Sequence, residues 1–185
     1  MSTRVPLVAL AAFLLCAHSA CRRSADAHNL ATVDSLLLVT DSLINGLNAL
    51  DMAAVTRIDS LYASRKDLLQ TRMGDTLTKE EALLLGNYHR TMTKSMGRAK
   101  KDHGPVLQEL TLARTQLSDL RNDVEKALLE REVEVKYISD ERLALAKARH
   151  NADVVASSVG SVIRDEARWG HKVDSLLAAD TIPAK

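Results

Sequence analysis

Leucine returns every seven residues at Leu36, Leu43 and Leu50, with Val33, Leu47 and Ala54 filling the alternate positions. That repeat fits a helix whose apolar seam is covered by another helix, and it fits no strand. A sheet protein would need aromatic and β-branched runs punctuated by turns. Aromatics are only 3% of these 185 residues, with Pro 3 and Gly 7, which rules out a sandwich or barrel. The same glycine shortage argues against an α/β fold built on phosphate-cradling loops. Lys+Arg 25 against Asp+Glu 24 leaves no net field to draw the chain to nucleic acid. The fold expected is all-α: an elongated antiparallel helical bundle with coiled-coil packing.

Three long helices are expected, or four. The first covers residues 28–73, where Leu61 and Leu68 resume the sevens after a four-residue offset, the mark of a stutter. Asn45 and Gly46 weaken it without changing its phase. Gly74-Asp75-Thr76 makes a turn, and Thr78 with Glu81 three residues later forms a capping box that starts the second helix. Gly104-Pro105 is expected to end that helix after His103 and begin a third, because Gly suits a C′ position and Pro a first turn. The third helix carries Leu110, Ala113, Leu117, Leu120, Val124, Ala127 and Leu128 on one stripe, with Arg121/Glu125, Lys126/Glu130 and Glu132/Lys136 as exposed pairs four apart. It continues to about residue 179, unbroken or broken near Asn151 or Gly160, and residues 180–185 fray. Short connections make neighbouring helices antiparallel.

Ahead of the bundle, Met1-Ser2-Thr3-Arg4 is polar and positive, residues 5–17 carry no charge, and small residues precede Cys21. This is the three-part plan of a secretory signal, too short to span a bilayer, which takes about 20 apolar residues. The segment resembles the signal of bacterial lipoproteins: Ser19-Ala20-Cys21 matches the last three positions of the lipobox. His18 departs from it, where the family prefers an aliphatic residue, and Arg22-Arg23 place positive charge just beyond. The resemblance implies that residues 1–20 are removed, that Cys21 becomes an acylated first residue, and that residues 21–27 tether the bundle to a membrane. Family behaviour points to the outer membrane and a periplasmic face. The alternatives are an ordinary cleaved signal, giving a soluble periplasmic protein, and an uncleaved anchor. Cys16 leaves with the signal, so Cys21 is then the only cysteine. A single thiol at the new terminus suits acylation better than a disulfide.

His89, Met92, Met96 and His103 share one face of the second helix, where thioether and imidazole would suit a soft copper ion. The plainer reading makes the methionines core filler and the histidines flank residues. His150/Asp153 and His171/Asp174 repeat one helical pair, but exposed hydrogen bonding accounts for them better than the Glu-x-x-His of di-iron bundles. Arg90, Lys94, Arg98 and Lys101 form a basic stripe that could meet lipid phosphates or another polyanion. Its plainer reading is macrodipole complementarity, since Glu80 and Glu81 stand at the other end. Trp169 is expected to plug the bundle's end.

No Gly-x-Ser-x-Gly elbow, phosphate loop or His-Glu-x-x-His occurs, so no enzyme is expected. No cofactor is expected either. Gln116-Leu117, Leu120, Asp123, Tyr137-Ile138 and Glu141 resemble a pattern in small helical lipoproteins of Gram-negative bacteria. That likeness spans a third of the chain and implies a class without an activity. The expectation is a membrane-tethered periplasmic lipoprotein of the cell envelope with a structural or protein-interaction role. Its partners would be the membrane, through lipid on Cys21, and another envelope protein or a second copy, with no nucleic acid. The rival is a binding module for a small ligand or metal on the His89 face, and a secreted helical protein comes third.

Overall fold

The computed structural model describes residues 24–74 and 77–178. Residues 1–23, with the expected signal and Cys21, and the 180–185 tail lie outside the described residues. The chain is all-α: three long helical arms packed antiparallel, with no strand among the described residues. The first arm is α1 (Ala27–Asn48) and α2 (Met52–Arg72). The second is α3 (Lys79–Arg90), a π turn (Thr91–Ser95) and α4 (Met96–Glu125). The third is α5 (Arg131–Ala178), whose 48 residues span about 72 Å. It runs unbroken through Asn151 and Gly160.

The first three helices each start on a side-chain cap. Asp26 accepts from the His28 and Asn29 amides to open α1, and Asp51 accepts from the Ala54 amide at 2.7 Å to open α2. The capping box expected at Thr78 is present. The Thr78 amide donates to Glu81 at 2.9 Å, while the Glu81 amide donates to the Thr78 hydroxyl at 3.3 Å.

Three boundaries differ from the sequence reading. The first arm is not one stuttering helix: it breaks at residues 49–51, where Asp51 caps a fresh start. The expected turn at Gly104-Pro105 is absent, and Pro105 sits inside α4. Both residues face solvent, so water can take the Lys101 carbonyl that proline leaves without a donor. Gly104 also lacks the Cβ against which a proline ring usually presses. The real reversal lies at residues 126–130. Leu128 N–H donates to the Asp123 carbonyl at 2.9 Å and Ala127 N–H to the Val124 carbonyl at 3.1 Å. This is a Schellman cap with alanine, at φ 51°, where glycine is usual. Lys126 and Glu130 therefore flank a turn, whereas Arg121 and Glu125 do pair along the helix at 2.9 Å.

The seam follows the sevens with a corrected phase. Val33, Thr40, Leu47 and Ala54 are buried, while Leu36, Leu43 and Leu50 are half-buried shoulders packed against the core. Past the break the buried set becomes Val55, Tyr62 and Leu69, and Leu61 and Leu68 are exposed. Leu110, Ala113, Leu117, Leu120 and Val124 are buried as expected, but Leu128 beyond the cap is exposed. A small core of Val33, Leu117, Leu120, Val124 and Ile138 closes the end near residue 24, and a larger one fills the remainder. Asp34 and Asp41, charged positions of α1, pair with Arg121 and Arg114 of α4.

Candidate functional site

The π turn is the least regular part of the second arm, and such turns recur at functional positions. Its wider spacing is closed by the Met96 amide donating to the Thr91 carbonyl, five residues back. The Thr93 hydroxyl takes up the displaced carbonyls of His89 and Arg90 at 2.8 and 3.2 Å. The Thr91 hydroxyl instead reaches α5 and donates to Asp165 at 2.7 Å. Tyr88, Met92, Met96 and Ala99 stay buried across the turn, so the irregularity keeps the seam in phase.

Beside it lies a polar cluster tying all three arms together. Arg65 of α2 donates through Nε and Nη2 to the two Asp174 oxygens, each at 2.7 Å. Its Nη1 donates to Glu166 at 2.9 Å and to the Tyr88 hydroxyl at 2.7 Å. Tyr88 in turn donates to Glu166 at 2.7 Å. The side chains of Arg65 and Glu166 are only 11% and 16% exposed. Burial alone would lower the Arg65 guanidinium, but the bonds to Asp174 and Glu166 outweigh it and hold it above its ordinary value. Burial, reinforced by Glu166, pushes the Tyr88 phenol up. Gly170 makes room for the arrangement: a methyl there would come within 2.9 Å of the Glu166 carboxyl carbon. Tyr62 meets the Tyr88 ring edge-on and bonds His89 Nδ1 at 2.8 Å. The cluster is internally satisfied, and its chemistry is cross-linking of helices.

The four residues of the copper reading do not converge. Met92 and Met96 are core residues at 2% exposure. His89 is bonded to Tyr62, and His103 Nε2 lies 3.1 Å from the Leu47 carbonyl at the end of α1, which also accepts from the Leu50 amide at 3.2 Å. Fourteen residues of helix separate the two histidines by about 21 Å. No group of three or more His, Cys, Asp or Glu side chains placed to hold a metal occurs among the described residues. Asp174 is taken by Arg65, which breaks up the His171/Asp174 pair. Trp169 is half-buried against the core under the Arg168 guanidinium, 4.4 Å from the ring centroid.

Two residues of the basic stripe, Arg98 and Lys101, line separate grooves, and Arg90 and Lys94 line neither. All four of its residues are exposed. Lys101 joins Lys66, Lys100, Asp59 and Tyr62 around a groove of about 450 Å³ between α2 and the second arm. Lys100 there pairs with Asp59. Arg98 lines another groove of about 290 Å³, between the second arm and α5, with Ser95, Ser158, Ser161, His150 and Asp153. Sequence reasoning found Arg98 and His150 but not the serines, whose spacing carries no motif, and not the Arg65 cluster, in which Arg65 meets partners 23 to 109 residues away. No family model, curated protein or solved structure matches the chain.

Proposed function

We propose that this protein is a lipid-anchored helical bundle of the bacterial envelope, held at the periplasmic face of the outer membrane by acyl chains on Cys21, with a structural or protein-interaction role and no catalysis. The observation that carries the reading is Ser19-Ala20-Cys21 behind an uncharged run at residues 5–17. Three acyl chains, as the lipoprotein resemblance implies, exceed the two signals that stable anchoring needs. Removing residues 1–20 takes Arg4 away and leaves 24 basic and 24 acidic residues, so the anchor and not net charge would hold the protein to lipid. With α1 opening at Ala27, a tether of a few residues would keep that end of the bundle close to the bilayer.

The bundle itself supports a structural role. Several of its polar side chains are committed inside the bundle: Arg65 to Asp174 and Glu166, His89 to Tyr62, His103 to the Leu47 carbonyl. Cys21→Ala, followed by separation of membrane and soluble fractions, tests the anchor. The variant is expected to lose its membrane association and retain residues 1–20. A parent already in the soluble fraction, with a variant still cut, would make this an ordinary secreted protein.

A further inference from the structure

The groove between the π turn and α5 is lined by hydrogen-bond donors that the bundle leaves unused. Several hydroxyls on these helices bond back to the carbonyl four residues earlier, as Thr40 does to Leu36, Ser60 to Thr56 and Ser175 to His171. Ser158 does not. It is 6% exposed, it lines the groove, and its hydroxyl has no hydrogen-bond partner among the described residues. Its oxygen keeps contact with solvent in the groove, so the hydroxyl is free to donate to a ligand seated there. Ser95, placed at the last position of the π turn, faces the same space with its hydroxyl equally unpartnered among the described residues. Ser161 lies one helical turn from Ser158 and accepts from Arg164 at 3.2 Å, leaving its own proton to donate. Arg98 supplies a guanidinium that pairs with no described carboxylate.

We propose that this groove binds a phosphate group, seated between Arg98 and the hydroxyls of Ser95 and Ser158. Guanidinium with neutral hydroxyl donors is suited to a tetrahedral oxyanion, because every partner donates and the cation neutralises charge. Asp153 does not oppose this. It lies five residues from Ser158, about 7.5 Å along the helix, outside bonding reach of an anion seated at Ser158. With His150 beside it, Asp153 offers an acceptor to a hydroxyl or amine on the remainder of the ligand. The phosphate could belong to a free compound or to a lipid headgroup. Ser158 stands 27 residues beyond the start of α5, about 40 Å from the end of the bundle nearest Cys21, which favours the free compound for a bundle standing upright on its own membrane.

The test is thermal unfolding of the detergent-solubilised full chain in inorganic phosphate against sodium chloride of equal ionic strength. Binding to the folded state raises the melting temperature. Phosphate is expected to raise it saturably where chloride does not, and Ser158→Ala and Arg98→Gln should each weaken that response by about tenfold. Without phosphate, Ser158→Ala should melt close to the parent temperature, since the hydroxyl has no described partner to lose. Arg98→Gln, at an exposed position, repeats the test without touching the core. Arg90→Gln should respond as the parent does. Vesicles containing phosphatidylglycerol then separate the sources, using a chain that begins at Arg22 and so carries neither acyl groups nor the uncharged run. Flotation that depends on Ser158 identifies a headgroup. Phosphate stabilisation without flotation identifies a free phosphate compound. A parent unresponsive to both probes, or a phosphate response equal in parent, Ser158→Ala and Arg98→Gln, overturns the proposal, and neither result bears on the Cys21 anchor.

Discussion

Pro105→Ala and Ala127→Gly together decide where the second arm ends. Within a helix, proline costs about 3 kcal/mol through its missing donor and the clash with the preceding turn. Here Gly104 relieves crowding and the Lys101 carbonyl is on an exposed residue, so Pro105→Ala is expected to recover about 1–2 kcal/mol. Ala127, at φ 51°, holds a left-handed conformation that costs a residue with a Cβ about 1–2 kcal/mol. Glycine removes that cost but loses about 0.5–1 kcal/mol of chain entropy, so Ala127→Gly should gain about 0.5–1 kcal/mol. The sites are about 33 Å apart along α4, far enough for the effects to add. At about 2–4 °C per kcal/mol for a domain of this size, the double variant should melt about 3–12 °C above the parent. Thermal unfolding followed by circular dichroism reads this directly. A turn at Gly104-Pro105 would reverse both signs: alanine would lose a favourable first-turn proline, and glycine would sit in a helix interior. Two destabilising variants would refute the topology.

Arg65→Met should cost about 2–4 kcal/mol, because Glu166 and Tyr88 keep their partial burial and lose their shared donor; chemical denaturation measures it. Gly170→Ala should destabilise the parent by displacing Glu166, yet become neutral or stabilising when combined with Arg65→Met, where Glu166 is no longer pinned. Equal effects in both backgrounds would mean Gly170 does not serve the cluster. At acid pH the first turns of α1 and α3 should fray. The Asp26 carboxyl is lowered chiefly by the Asn29 amide and Glu81 chiefly by the Thr78 amide. A carboxyl lowered in the folded state contributes stability that is present above its unfolded value and lost as pH falls through its folded one. Helicity should therefore decline below about pH 4, and Asp26→Asn with Glu81→Gln should flatten that dependence.

Local signals carried most of the fold. Thr78 and Glu81 are three residues apart and complete their cap unaided, so the start of α3 was legible from the sequence. The sevens revealed helices but not which column faces inward: Leu36 and Val33 both repeat, and only packing against α4 and α5 selects Val33. The reversal at residues 126–130 was illegible because it uses Ala127 where glycine would have announced it. Gly104-Pro105 misled for the opposite reason, as a strong local signal overridden by burial of Ala99, Val106 and Leu110 on one continuous face. The Arg65 cluster and the Ser158 groove depend on α2, the π turn and α5 meeting, which no window of sequence contains.

The central claim, a bundle tethered by lipid at its N-terminus, is tested most directly by the intact mass of the protein extracted from membranes. The account predicts a chain beginning at Cys21 and heavier than residues 21–185 by the mass of its acyl groups, with the added mass confined to the N-terminal peptide. A chain of unmodified mass, or one still carrying residues 1–20, would contradict it.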